Sequence, residues 1–222
     1  FFSRGSEFMI TFESFLALAL RTMGTKCIFV ICDGIDICNF SSINRPKMKC
    51  QSCYSGYKIP HRLGFEVHKL SEFFQKNSGI KESPDSLNDF INFKIFNIKV
   101  GKYLKPSVLR YFMASDFKEV NEDELRKVYF RFISVSVSIY NAVNNIIEKF
   151  KPQIALMFNG RYSQMRVAYE TFRKFNINCI TYESLNIPHG QYWIFSNHEP
   201  VMSFKFAQEW NKWGKKPSPT PY

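Results

Sequence analysis

The sequence predicts an α/β fold: a Rossmann-like, mostly parallel sheet flanked by helices. A strand, a helix and a second strand follow one another within 153–183, which is the βαβ pattern of parallel sheets. An amphipathic helix over 11–23 leads into the apolar run "KCIFVIC" at 26–32, which is typical of a buried strand. Hydrophobic residues make up 45% of the 222 residues, enough to form the core of one globular domain.

The start of the chain is interpreted as helix, loop and strand. Gly24 suits the left-handed backbone that ends a helix, and Asp33-Gly34 ends the strand with a turn. Doubly wound domains place a strand before such a helix, so we expect that a strand upstream of Met9 is missing from this chain. Residues 1–8, "FFSRGSEF", resemble vector-derived sequence and are left out of the predicted fold.

One α/β domain is predicted over 9–214, with a proline-rich tail at 215–222. Within it, 32–66 is expected to be an irregular, cysteine-containing segment. Short helices are predicted over 67–77, 83–96 and 105–115, the second of them starting near Asp85 or Ser86. The remaining predicted elements are a long helix over 121–150 with a capping box at Asn121 and Glu124, strands at 153–158, 178–183 and 192–195, and helices over 162–175 and 203–213.

Polar residues Asn159-Gly160-Arg161 follow the strand at 153–158 and precede a helix. Ligands of parallel sheets bind outside the carboxyl ends of the strands. Gly160 allows a sharp turn, and the helix N-terminus favours an anion that Arg161 and Arg166 suit by charge. Asn159 can hydrogen-bond a sugar hydroxyl or the loop backbone. The alternative is a plain strand-to-helix turn with solvated arginines.

The second strand of the βαβ unit ends at Glu183, and His189 and His198 follow in the next loop. A carboxylate at the carboxyl end of a strand is a candidate for hydroxyl binding or general-base catalysis. The alternatives are a salt bridge from Glu183 to Arg161 or a helix cap, with both histidines at the surface.

Four cysteines follow the first predicted strand closely: Cys32, Cys38, Cys50 and Cys53. The spacing Cys50-x2-Cys53 suits a metal knuckle, so the four thiolates would bind a structural zinc ion, or else an iron–sulfur cluster. The alternative is free cysteines, because thiols such as Cys27 and Cys32 pack in buried strands as small apolar groups.

The net charge of +11 favours anionic partners such as nucleic acid, anionic lipid or acidic sugars. Basic residues are spread along the chain without a nucleic-acid-binding motif, which argues against nucleic acid. Neither G-x-G-x-x-G nor a P-loop occurs. No apolar run reaches the roughly 18 residues of a membrane span, and no secretory signal is visible. We therefore expect a cytoplasmic protein, with peripheral contact at the inner face of the membrane left open.

The run "PQIALMFNGRYSQMRVAYETFRKFNINCITYESLN" resembles the N-terminal half of bacterial capsule- and surface-polysaccharide glycosyltransferases of the GT-B type. Those chains have a long helix, a strand ending in Asn-Gly-Arg, a helix, and a strand ending in Glu. The earlier "LALALRTMGTKCIFVICDG" is similar to their opening helix and strand with the following Cys-Asp-Gly.

The resemblance implies a two-lobed enzyme. Its N-terminal lobe would bind a saccharide or lipid-linked saccharide acceptor, and a C-terminal lobe would bind the nucleotide-sugar donor. The matched positions are Asn159, Gly160, Arg161 and Glu183, with Asp33 or Glu183 as the base. No glycine-rich donor loop follows residue 200, so we expect this chain to be the acceptor lobe and to be inactive alone. The alternative function is a basic, zinc-stapled binding module for nucleic acid or an acidic polymer.

Overall fold

The computed structural model describes residues 1–3, 7–38, 41–44, 50, 55–75, 80, 83–187, 190–197 and 199–200. They form a six-stranded, mostly parallel sheet flanked by helices, which confirms the predicted α/β, Rossmann-like class. The strands are β1 (Phe2–Ser3), β2 (Ile28–Ile31), β3 (Glu66–Lys69), β4 (Ile154–Phe158), β5 (Asn178–Ile187) and β6 (Gly190–Ser196). The α-helices are α1 (Glu7–Thr22), α2 (Lys58–Arg62), α3 (Leu87–Asn92), α4 (Val100–Phe112), α5 (Glu122–Phe150) and α6 (Ser163–Lys174).

The strand order is β3-β2-β1-β4-β5-β6. The first five strands run parallel, and β6 returns antiparallel to β5. The chain therefore builds outward from β1 to β3, then crosses back to β4 on the other side of β1. Such a reversal is the topological switch point of doubly wound folds, where a crevice forms outside the carboxyl ends of the strands.

The innermost strand, β1, comes from residues that the sequence interpretation left out of the fold. It pairs with both β2 and β4. Phe2 is 4% exposed, and its ring meets Phe172 edge-on. The expectation that 1–8 add nothing to the fold is therefore wrong, and so is the expectation that the strand before α1 is missing, because Phe2–Ser3 forms it. Two residues are too few to show a periodic pattern, so the sequence held no strand signal here.

The long helix α5 is confirmed with its predicted ends. The Asn121 side chain accepts hydrogen bonds from the backbone N–H groups of Asp123 and Glu124, and acidic residues in the first turn complement the helix dipole. Lys151 takes a left-handed conformation (φ 46°) just before Pro152, which ends the helix. The buried stripe of α5 packs against α4 and α6.

The helix predicted over 67–77 is wrong for its first half. Glu66–Lys69 form β3, which pairs in parallel with β2, and Leu70–Phe73 form a 3₁₀ helix. The sheet pairing satisfies the backbone of this segment, which outweighs the helical spacing of its apolar residues. Residues 55–62 of the segment predicted as irregular are also ordered, as a 3₁₀ turn followed by α2.

Two apolar layers lie on opposite faces of the sheet, because successive residues of a strand point to opposite sides. Ala155 and Met157 of β4 join the large core that includes the buried stripes of α4, α5 and α6. Leu156 and Phe158 join a smaller layer beside α1. Among the described helices, none is both long and apolar enough to cross a membrane. The predicted helix over 203–213 and the tail lie outside the described residues.

The edge strand β3 is held by a histidine between two carboxylates. His68 Nδ1 lies 3.0 Å from Glu72 Oε2, and His68 Nε2 lies 3.0 Å from Glu66 Oε1. The hydrogen bond with His68 is the main cause that lowers the pKa of Glu66. Lys26 lowers this pKa further, because its Nζ lies 3.3 Å from Glu66 Oε2. Desolvation raises the pKa of Glu72, but the Lys69 backbone N–H and the His68 ring together hold it below its ordinary value.

These pKa shifts predict acid-sensitive stability. The folded-state pKa values of Glu66 and Glu72 are lower than the unfolded value of about 4.5, so their ionised forms stabilise the fold above that pH. The contribution is lost as the pH falls through the folded-state values. We expect Glu72→Gln to lower the free energy of unfolding at neutral pH and to have little effect in acid, measured by urea denaturation. Glu148→Gln, on the exposed side of α5, is the control; a pH-independent effect of Glu72→Gln would contradict the prediction.

Candidate functional site

The turn after β4 is built from two residues with left-handed backbone. Asn159 has φ 63° and Gly160 has φ 69°. The Asn159 N–H donates to the Tyr182 carbonyl at 2.7 Å, so pairing with β5 continues beyond the end of β4. The Asn159 side-chain oxygen accepts from the Arg161 N–H at 3.0 Å, which closes an Asx turn. The chain thereby bends sharply from β4 toward α6.

The same asparagine holds the predicted carboxylate. Asn159 Nδ2 donates to Glu183 Oε2 at 2.5 Å, and Glu183 Oε1 accepts from the Ser184 N–H at 3.0 Å. Asn159 is 6% exposed, whereas Glu183 is half-buried. The two residues therefore meet where β4 ends and its pairing with β5 stops. The prediction that the second strand ends at Glu183 is wrong, because β5 continues to Ile187 and pairs there with β6. Asn159 contacts the loop backbone, one of its two predicted roles, and it also orients Glu183.

The two predicted arginines have different surroundings. Arg161 lies in the turn itself, with its guanidinium carbon 5.1 Å from the centre of the Tyr162 ring. Arg166 pairs with Glu170 at 2.7 Å and lies 4.2 Å above the Tyr103 ring of α4. Arg161 is therefore the arginine at the sheet edge, and Arg166 connects two helices.

The N-terminus of α6 is partly occupied by protein groups. The Ser163 N–H donates to Ser107 Oγ of α4 at 2.8 Å, in a fully buried contact. Gln164 is 3% exposed, and its Oε1 has no hydrogen-bond partner among the described residues. An anion at this helix end would therefore depend mainly on Arg161 and on the turn, rather than on an open helix N-terminus.

Asp33 lies at the same edge of the sheet but on a different part of it. Its carboxylate accepts from the Ser71 N–H at 3.0 Å and from Ser71 Oγ at 2.5 Å, which caps the 3₁₀ helix after β3. With strands about 4.8 Å apart, the position of Asp33 after β2 is about 10 Å from β4 and about 14 Å from β5. Of the two candidate bases, only Glu183 is beside the Asn159 turn.

The metal site stays a prediction. Cys32, Cys38 and Cys50 form no disulfide bond among the described residues, and Cys53 lies outside them. Burial raises the pKa of Cys32 to about 12, and the neighbouring Cys38 and Cys50 add to the shift, so the three thiols share one region. Zinc would have to displace the Cys32 proton to bind there. Within the described ranges, no three His, Cys, Asp or Glu side chains are arranged to hold a metal.

Other predicted site residues cannot be assigned a position. His189 and His198 lie outside the described residues, so their roles stay predictions. Conversely, sequence reasoning missed Glu13, which is fully buried on α1 and accepts from the Tyr182 hydroxyl at 2.7 Å. The available signal was that Glu13 is the one carboxylate within the helix predicted over 11–23.

The fold and this edge define a Rossmann-like α/β protein with a carboxylate, an amide and an arginine next to its switch point. Comparison with protein-family models, with curated proteins and with solved structures found no significant match. Function is therefore argued from the geometry of the edge and from the resemblance in sequence.

Gly160→Ala is predicted to strain the turn. A Cβ at Gly160 would lie 2.6 Å from Thr181 Cγ2, and φ is positive, so we expect a loss of roughly 1–3 kcal/mol in the free energy of unfolding. Gly24→Ala is the matched control, because its φ is +83° with nothing within 4 Å. Adding Thr181→Ser removes the clashing methyl and should restore part of the loss. Equal losses at the two glycines in urea denaturation would contradict the steric explanation.

If the cysteines form the predicted zinc site, protein purified with zinc will retain about one equivalent after gel filtration, measured by elemental analysis. Cys50→Ser should release it, since a four-thiolate site loses affinity when one ligand is removed. Cys27 directly precedes β2, and its thiol contacts the Ala17 carbonyl of α1. Cys27→Ser should therefore leave the zinc content unchanged. The metal hypothesis would be contradicted if the purified protein contained no zinc and added zinc left its free energy of unfolding unchanged.

Proposed function

We propose that this chain is the acceptor-side lobe of a GT-B-type glycosyltransferase in surface or capsular polysaccharide synthesis. The observation that carries the proposal is the contact between Asn159 and Glu183 at the carboxyl edge, next to the switch point. Ligands of doubly wound folds bind at that edge. A carboxylate oriented by an amide and placed near an arginine suits a substrate that combines a hydroxyl with an anionic group.

Glu183 is the proposed general base. Sugar transfer forms a bond between the acceptor oxygen and the anomeric carbon, while the bond from that carbon to the nucleotide diphosphate breaks. The acceptor hydroxyl must lose its proton, and a carboxylate within hydrogen-bonding distance can accept it. The bonds to Asn159 Nδ2 and the Ser184 N–H fix the orientation of Glu183, so less freedom is lost when the acceptor binds.

Arg161 is the proposed anion-binding residue. Its backbone N–H donates to the Asn159 side-chain oxygen, and the Asn159 amide nitrogen donates to Glu183, so one asparagine links the two residues. A planar guanidinium binds phosphate or carboxylate oxygens in pairs, so the matching substrate feature is a lipid phosphate or an acidic sugar. The net charge of +11 favours approach of such a substrate, and of the anionic inner leaflet where a lipid-linked acceptor resides.

The nucleotide-sugar donor belongs to the proposed C-terminal lobe. The glycine-rich loop that binds the donor diphosphate would lie in that second lobe. In this arrangement the donor would face Glu183 across the crevice between two lobes, and the chain would act at the cytoplasmic side of the membrane.

The test is sugar transfer by the complete polypeptide, assayed with a panel of nucleotide-sugars and with saccharide and lipid-linked saccharide acceptors. Glu183→Gln should lower kcat by roughly 10²–10⁴ because it removes the base while keeping an oxygen that can accept from Asn159. Asp33→Asn is the matched control and should keep most of the activity. The reverse ranking would reassign the base to Asp33, and no transfer from any donor would overturn the proposal.

A further inference from the structure

Helix α1 carries exposed apolar side chains along one of its sides. Phe8 is 49% exposed, Phe15 is 66% exposed, and Met23, just after the helix, is 79% exposed. The opposite side of α1 is fully buried through Ile10 and Ala17. A helix with apolar side chains on two opposite sides normally packs against a layer on each, and the side of Phe8 and Phe15 is only partly covered among the described residues.

The uncovered side continues onto the last strand of the sheet. Phe12 stacks on Trp193 of β6 with ring centres 3.6 Å apart, and Phe8 stacks on the same indole at 5.6 Å. Phe195, two residues further along β6, is 46% exposed. Together these side chains form an aromatic groove, which we define by Phe8, Phe12, Phe15, Trp193 and Phe195.

Sheet topology explains why the groove is open. On one face the large core contains residues of β4 and β5 together with α4, α5 and α6. On the other face, α1 and the α2 region pack over β2 and Phe65, while β4 to β6 meet only the flank of α1. Parallel sheets are covered by helices on both faces. A further helix beside α1 would complete the second layer.

The candidate occupant of the aromatic groove is the segment that follows Pro200 in the sequence. The last described residue, Pro200, lies against the turn after β4, because its Cβ would be 3.3 Å from a Cβ at Gly160. Helix α1 starts after the carboxyl end of β1, the neighbour of β4. Pro200, after which residue 201 follows in sequence, therefore lies at the edge of the sheet where α1 begins.

The pattern of that segment suits the groove. Met202, Phe206, Trp210 and Trp213 recur at spacings of four, four and three residues, which puts them on one side of a helix. Eleven residues at 1.5 Å each span about 16 Å, the same length as the stretch of α1 from Phe8 to Ala19.

We propose that residues 203–213 form an amphipathic helix that packs along α1 and fills the aromatic groove. A tethered segment has a high effective concentration at its own groove, which favours it over a second copy of the chain or a membrane surface. The packing closes the second layer of the sheet and brings the chain past the edge that holds Asn159 and Glu183.

The test uses tryptophan fluorescence of the full chain in the Trp193→Phe variant, which keeps an aromatic ring at the stack. The remaining tryptophans are Trp210 and Trp213, since the chain has three. We expect them to be protected from acrylamide quenching, and Phe15→Lys to increase the quenching severalfold. Met113→Lys is the matched control, because Met113 is an equally exposed apolar residue (78%) at the end of α4.

A second measurement is hydrogen exchange of the α1 amides. Trp210→Ala should speed exchange in α1, whereas Asn211→Ala, on the opposite side of the proposed helix, should not. Quenching that is unchanged by Phe15→Lys would overturn the proposal. So would protection that disappears on dilution, which would indicate a second copy, or protection that arises only with anionic lipid vesicles.

Discussion

The hydrogen bond from the Asn159 N–H to the Tyr182 carbonyl is the constraint on which the candidate site depends. It extends the pairing of β4 and β5 by one residue and holds Asn159 in a left-handed conformation. In that conformation one side-chain atom of Asn159 closes the turn at Arg161, and the other reaches Glu183. Strand pairing, the turn and the orientation of the carboxylate are therefore parts of one hydrogen-bonded arrangement.

A second constraint, the contact between Tyr182 and Glu13, links the Asn159 turn to helix α1. The Tyr182 ring is fully buried, and its hydroxyl donates to the carboxylate of Glu13 inside the apolar layer. A buried carboxylate requires hydrogen bonds to offset its desolvation, so Glu13 and Tyr182 keep α1 in one position over β5. Because the Tyr182 carbonyl also receives Asn159, the position of α1 is coupled to the turn above it. The aromatic groove beside α1 thus adjoins the candidate site.

Helix packing on the opposite face depends on close backbone approach. A Cβ at Gly101 would lie 2.0 Å from the Phe90 carbonyl, so only glycine allows α4 to lie this near α3. The Gly101 carbonyl accepts from the Tyr129 hydroxyl at 2.8 Å, which ties α4 to α5. Ser107 Oγ of the same helix then accepts a hydrogen bond from the Ser163 N–H at the start of α6. The long helix α5 thereby supports the turn after β4 through α4.

Local periodicity and capping were sufficient to predict α1, α5, α6, β2, β4 and the first part of β5, and the proximity of Asn159 and Glu183 followed from the parallel βαβ unit. These features depend on contacts between residues close in sequence, which a sequence displays directly. Tertiary structure alone decided that Phe2–Ser3 is the central strand and that Glu66–Lys69 is a strand rather than a helix. Tertiary structure also showed that Arg166 pairs with Glu170 on α6, whereas Arg161 lies in the turn at the sheet edge. Each of these outcomes depends on a partner distant in the chain, and no local pattern specifies which partner will be present.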